Sequence, residues 1–72
     1  MKYLIVIEET KTGFSAYSPD LDGCVATGRT RTEVEKNIKE AIAFHLEGMK
    51  EDGALLPGSH SYSKYLSVPV PV

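Results

Sequence analysis

The chain has 72 residues, of which 42% are hydrophobic and 25% charged, a composition typical of one folded domain and not of a disordered chain. A net charge of -2 excludes a general basic field for nucleic-acid phosphates, and the single cysteine, Cys24, excludes an intramolecular disulfide. The longest aliphatic run, residues 4–7, is far shorter than the roughly 20 residues of a membrane span. We therefore expect one domain over residues 1–72, located in the cytoplasm, with neither a leader nor a membrane anchor.

Residues 3–7 are rich in β-branched and aromatic side chains and predict a first strand. In an extended chain Tyr3, Ile5 and Ile7 share one face, and Leu4 and Val6 share the other. Both faces are apolar, which favours a central strand that is covered on two sides.

Two further strands are predicted. The polar segment 8–13 ends in Gly13 and predicts a hairpin loop, after which residues 14–17 form a second strand that stops before Pro19. Residues 20–23 supply turn chemistry, and residues 24–27 fit a third short strand that ends at Gly28.

A helix is predicted from about residue 31 to residue 50. Thr30 and Glu33 have the spacing of a capping box, and Gly53 is well placed to end the helix. Apolar side chains recur at helical spacing and predict the buried face, which consists of Val34, Ile38, Ala41, Ile42, His45 and Met49.

The C-terminal segment, residues 65–72, is predicted to be an edge strand after a connector at 54–63. Pro69 and Pro71 have the same parity, so both missing amide donors fall on one lateral edge, and the other edge remains able to pair. The predicted order is β-β-β-α-β. This is an α+β fold with a three-stranded antiparallel sheet, a C-terminal edge strand and one helix on one face.

Few residue patterns indicate catalytic or metal chemistry. Asp20 and Asp22 could bind a hard cation, but turn residues of this kind usually accept hydrogen bonds from local backbone amides. Cys24, His45 and His60 match no zinc-site spacing. We expect Cys24 to be a small buried residue and His45 to be packed and neutral. No cofactor-binding motif is found.

The sequence from residue 19 resembles the HicB family of antitoxins. The resemblance begins at Pro-Asp-Leu-Asp-Gly-Cys (19–24) and continues through Thr27-Gly28, Thr30 and Glu33 at the start of the helix. It extends to Ala-Ile (41–42), His-Leu-Glu (45–47) and Gly-Ala-Leu-Leu-Pro (53–57). The order and spacing of these pieces are more distinctive than any one of them.

The resemblance implies a fold similar to part of the ribonuclease H architecture and a role in a toxin–antitoxin system. The implied partner is a HicA-like toxin that cleaves mRNA. Many family members carry a C-terminal segment that binds operator DNA. We expect this chain to be a single-domain member without that segment, and we expect no direct DNA binding.

The leading hypothesis is a non-enzymatic antitoxin that covers its partner's basic surface. The candidate partner-binding residues are Asp20, Leu21, Asp22, Glu33 and Glu35. The alternatives are a metal-dependent nuclease that uses the same carboxylates, and an orphan domain that binds a small ligand or RNA.

Self-association is expected because the chain is short and the first strand is apolar on both faces. We expect a homodimer or a higher homo-oligomer. The candidate contact residues are Tyr3, Ile5, Ile7, Leu66, Val68 and Val70. The last three could instead close the sheet within one chain.

Overall fold

The computed structural model describes residues 1–71 and contains three strands followed by one helix. The strands are β1 (Val6–Thr10), β2 (Gly13–Tyr17) and β3 (Val25–Gly28), and the helix is α1 (Arg31–Glu51). The predicted β-β-β-α order and the α+β class are confirmed. Within residues 1–71 no helix combines the length and hydropathy that a membrane span requires.

The sheet is antiparallel and its strand order is β1-β2-β3. β1 is therefore at an edge, and the prediction that the first strand is central was wrong. β2 ends at Tyr17, which pairs with Val6, so the residues before Val6 have no strand to pair with. For this reason β1 begins at Val6. Glu8 and Glu9, which were predicted to lie in the loop, belong to β1 because they pair with Ser15 and Phe14.

The helix covers one face of the sheet. Ile7, Ala16 and Ala26 form a cross-strand row on that face, and Ala16 is buried against Val34 and Ile38 of α1. Two residues of the predicted buried face of the helix, Val34 and Ile38, are therefore in the core, and Ile42 packs against it. Ala41 and Met49 are only partly buried. α1 packs against β3 and β2 but not extensively against β1, so it lies off-centre over the sheet.

The helix begins and ends close to the predicted residues. The amide of Glu33 donates to Oγ1 of Thr30 at 3.0 Å, which is one half of the predicted capping box. At the other end Gly53 has a φ of 74°, and the amide of Ala54 donates to the carbonyl of Met49. His45 is only partly buried, so the prediction of a packed histidine in the core was wrong.

Gly28 allows α1 to approach β3 closely. A Cβ atom at Gly28 would lie 2.6 Å from the amide nitrogen and 2.9 Å from the Cα of Val34. Nearby, the side-chain amide of Asn37 donates to the carbonyl of Thr27 at 2.8 Å. Glycine at this position therefore sets the distance between the helix and the sheet.

Residues 54–71 contain no strand or helix. The predicted C-terminal edge strand does not form within the chain, and Val72, its last predicted residue, lies outside the described residues. The alternation of aliphatic and proline residues predicted an edge strand, but residues 65–71 pair with no strand of the described chain.

We expect Gly28→Ala to destabilise the protein by about 1–3 kcal/mol, because the new methyl group overlaps the backbone of α1. Gly48→Ala is the matched control. It lies in α1 with open space around its Cβ position, so we expect it to stabilise the helix by up to about 1 kcal/mol. Urea denaturation measures both effects, and equal midpoints for the two variants would contradict this account of the helix–sheet contact.

Candidate protein-binding surfaces

The sheet face opposite α1 is open and carries an apolar row. Val6, Tyr17 and Val25 are cross-strand neighbours on this face, one from each strand. Val25 is 69% exposed and Tyr17 is 39% exposed. These three residues are defined here as the open-face row. An exposed apolar row on an ordered sheet is typical of a protein-binding surface.

The rest of the open face is polar. The next cross-strand row on this face consists of Glu8, Ser15 and Thr27, and Thr10 follows Glu8 along β1. The apolar surface is therefore confined to the end of the sheet where β2 leads into the loop before β3. This row was not predicted from the sequence, because the two faces were assigned for the first strand but not for the second and third strands.

A groove of about 390 Å³ lies on the helix side of the sheet, beside β1. It exists because α1 is displaced toward β2 and β3. Its walls come from the N-terminal segment and from α1, and its rim carries Glu35 and Lys39. The apolar residues that line it include Tyr3, Ile5, Ile7, Ile38 and Ile42. Three of the predicted self-association residues thus line one groove, namely Tyr3, Ile5 and Ile7.

The predicted acidic residues do not converge on one site. Asp20 and Asp22 lie in the loop between β2 and β3, whereas Glu33 and Glu35 lie in the first two turns of α1, at the opposite end of the sheet. Glu33 lines a polar depression with Thr12 and Asn37, and Glu35 lines the groove beside β1. Asp22, Glu33 and Glu35 are exposed.

Leu21 is only 2% exposed, so its side chain is not available to a partner of the folded chain. Its inclusion among the partner-binding residues was wrong for this reason. The amide of Leu21 donates to the carbonyl of Ser18, and the amide of Cys24 donates to the carbonyl of Leu21. Gly23 completes the turn with a φ of 78°. Leu21 therefore anchors the loop from within.

Asp20 holds the connector that follows α1. Its Oδ1 accepts a hydrogen bond from the Ser61 hydroxyl at 2.9 Å, and its Oδ2 accepts one from the Ser61 amide at 3.2 Å. The hydroxyl of Tyr3 donates to the carbonyl of Pro57 in the same connector. The sequence analysis treated this segment as a plain connector and gave Ser61 no role.

These contacts change the pKa of the Asp20 carboxyl. Partial desolvation raises its pKa, but the hydrogen bonds from the hydroxyl and amide of Ser61, with the nearby amide and imidazole of His60, outweigh it. The net pKa lies below the ordinary value of 3.8. Asp20 is therefore ionised at neutral pH and acts as an acceptor that retains the connector.

The other candidate chemical groups are dispersed. Cys24 is buried, and burial raises the pKa of its thiol, which keeps it protonated at neutral pH. His60 is exposed in the connector, while His45 lines a shallow depression on α1 with Phe44 and Met49. Across residues 1–71 no group of three or more His, Cys, Asp or Glu side chains is arranged to hold a metal ion.

We expect Ser61→Ala to raise the pKa of Asp20 toward its ordinary value, because the carboxylate loses its hydroxyl donor. A carboxyl with a depressed folded-state pKa contributes stability above its unfolded pKa, and this contribution is lost as the pH falls through the folded value. The variant should therefore show a weaker dependence of stability on pH below about pH 4.

NMR titration of the Asp20 carboxyl measures this shift directly. Ser63→Ala is the matched control, because Ser63 is exposed and has no hydrogen bond to the body of the protein within the described residues. An Asp20 pKa that is the same in both variants would show that Ser61 does not hold the carboxylate in solution.

Sequence comparison relates the chain to one family over nearly its whole length. The family model described as "HicB_like antitoxin of bacterial toxin-antitoxin system" matches residues 3–69. A 14.9 kDa protein from the rep-hol intergenic region of Haemophilus phage HP1 is 44% identical over 69 residues, which are 96% of this chain and 52% of the phage protein. A UPF0150 protein from Thermoplasma acidophilum is 36% identical over 58 residues, covering 79% of this chain and 84% of that protein.

Two solved structures have the same fold. One is from a HicA3 and HicB3 toxin–antitoxin complex, with a TM-score of 0.69 and 40% identity over 82% of this chain and 70% of that chain. The other is a crystal structure of the antitoxin HicB3, with a TM-score of 0.69 and 42% identity over 79% of this chain and 42% of that chain. The chain thus spans about half the length of the phage relative and less than half of that HicB3 chain. The match over residues 3–69 shows that the chain belongs to the HicB-like antitoxins of bacterial toxin–antitoxin systems.

Proposed function

We propose that this chain is an antitoxin that binds a HicA-like, mRNA-cleaving toxin in the cytoplasm and neutralises it. The observation that carries the proposal is the family match, which extends over residues 3–69. It is supported by the likeness to a structure of a HicA3–HicB3 complex, at 40% identity. In this proposal residues 1–72 act as one binding domain.

The proposed docking surface is the open-face row. Val6, Tyr17 and Val25 lie on an ordered sheet, so a partner that covers them gains apolar burial without ordering a flexible loop. The polar side chains of Ser15 and Thr27 beside the row would form a hydrated rim. Neutralisation is then steric, because a domain seated on the toxin blocks access of RNA to it.

Exposed carboxylates have a secondary part in this mechanism. Asp22 lies in the loop at the same end of the sheet as the open-face row, whereas Glu33 and Glu35 lie at the other end. Carboxylates spread in this way speed the approach to a basic partner more than they add to the affinity. Asp20 already accepts two hydrogen bonds from Ser61, so its contribution to a partner is indirect.

Inhibition by binding requires no catalytic centre in this chain, and we propose that the chain is not an enzyme. The carboxylates that a metal-dependent nuclease would need are divided between two ends of the sheet. Incubation of the purified chain with RNA and DNA in Mg²⁺ or Mn²⁺ tests this point. Cleavage that is lost in Asp22→Asn protein would contradict a purely inhibitory role.

The function is tested by co-expression of this chain with a HicA-like toxin. We expect co-expression to relieve the growth arrest caused by the toxin, and the purified chain to block mRNA cleavage in a direct assay. Continued cleavage in the presence of excess antitoxin would contradict the proposed function.

We expect Val25→Asp to weaken toxin binding by roughly 30-fold or more, because Val25 is the most exposed apolar residue of the open-face row and the variant places a charge within the proposed contact. Thr27→Asp is the matched control. It lies on the same face of the same strand, two residues away among polar neighbours, and should change the affinity by no more than about twofold. Calorimetric titration with the toxin measures both affinities. Equal weakening by the two variants would show that the contact is not centred on the open-face row.

A further inference from the structure

Residues 62–71, defined here as the C-terminal arm, leave the body of the protein as an extended apolar segment. Leu66, Val68 and Val70 are each more than two-thirds exposed. The hydrogen bonds of the connector stop at Ser61, and none within the described residues joins the arm to the body. The radius of gyration is 14.9 Å, compared with about 11 Å for a compact chain of this length.

The arm has the sequence pattern of an edge strand. Leu66, Val68 and Val70 share one parity, so their side chains lie on one face and their backbone groups point to one lateral edge. Pro69 and Pro71 have the opposite parity and remove two donors from the other edge. The edge that is able to pair is therefore the one that carries the aliphatic residues.

The body of the protein offers a matching site at β1. Within residues 1–71 this strand pairs only with β2, so its outer edge is free in the described chain. The groove beside it is lined by Tyr3, Ile5 and Ile7 on one wall and by Ile38 and Ile42 on the other. A strand can pair with this edge in a parallel or an antiparallel direction. One of these two directions places the side chains of Leu66, Val68 and Val70 in that groove.

The connector is held to the body at two points before the arm begins. The hydroxyl of Tyr3 donates to the carbonyl of Pro57, and Ser61 then donates to Asp20 in the loop between β2 and β3. The arm therefore begins at that loop and not at the outer edge of β1. The arm then runs outward, and the described chain measures 55 Å in its longest dimension.

We propose that the C-terminal arm is an exchange strand that pairs with the outer edge of β1 in a second copy of this chain, with Leu66, Val68 and Val70 in the groove beside β1. Three features indicate that the arm of a second copy occupies the groove beside β1. They are the free edge of β1, the apolar lining of the groove, and an exposed arm that can pair along only one of its edges. The exchange completes a four-stranded sheet in each copy. The aliphatic side chains of the arm then lie on the helix side of the sheet, so they do not cover the open-face row.

The side on which the arm pairs is tested with proline variants of the full chain. Val68→Pro removes a donor from the pairing edge and should weaken self-association by roughly tenfold or more. Ser67→Pro is the matched control, because it removes a donor from the edge that Pro69 and Pro71 already block, and it should leave the association unchanged. Sedimentation equilibrium measures both constants. A monomeric wild-type chain, or equal effects of the two variants, would overturn the proposal.

The site of pairing is tested by cross-linking in a Cys24→Ala background. Chains that carry Val68→Cys are mixed with chains of different mass that carry Lys39→Cys, on the rim of the groove, and treated with a short bis-maleimide. We expect mixed dimers to be the main product. Products formed chiefly between two Val68→Cys chains would show that the arms pair with each other, which would overturn the proposal, as would the absence of cross-linked products.

Discussion

The contact between Gly28 and Val34 determines the arrangement of the whole molecule. Because Gly28 has no side chain, the first turn of α1 lies directly against the end of β3. The helix then crosses β3 and β2 and leaves β1 only partly covered. A larger residue at position 28 would lift the helix start and change which strands it covers. The groove beside β1 is thus a consequence of close packing at the opposite side of the sheet.

This offset gives the two faces of the sheet different roles. On the helix side, Ala16 is buried by Val34 and Ile38, while Ile5 and Ile7 at the edge remain only partly covered. On the other side, Val6, Tyr17 and Val25 form an apolar row that nothing in residues 1–71 covers fully. A chain this small cannot bury both surfaces alone. Each surface is suited to a different macromolecule.

Local patterns predicted most of the fold but not the position of the first strand. The helix and its cap followed from Thr30, Glu33 and the spacing of Val34 and Ile38, which are interactions within a few residues. The placement of β1 at an edge depends instead on where β2 ends, opposite Val6. The sequence showed that the strand is apolar on both faces, but that pattern fits a central strand and an edge strand beside a groove equally well.

Less of the candidate binding surface than of the fold could be predicted from the sequence. The motif around Asp20 was expected to bind a partner, yet Leu21 is buried and Asp20 binds Ser61, a contact across 41 positions of the chain. Exposure at Val25 and Tyr17 could have been inferred from strand alternation once the helix face was assigned to Ala16 and Ala26. The opposite holds for the arm: its strand pattern is present in the sequence, and only the fold shows that it pairs with no strand within residues 1–71.

Mutual exchange of arms would form a closed dimer in which the proposed toxin-binding surface of each copy is uncovered. If the arm of each copy occupies the groove of the other, the two contacts are related by a two-fold axis and no unpaired arm remains. Pro69 and Pro71 then lie on the outer edge of the extended sheet, where their missing donors prevent addition of a further strand. The open-face row is not covered in either copy, because the aliphatic side chains of the arm lie on the other face of the sheet. A dimer of this kind would present two equivalent docking surfaces, and the paired arms would replace the apolar contacts that a single short chain lacks.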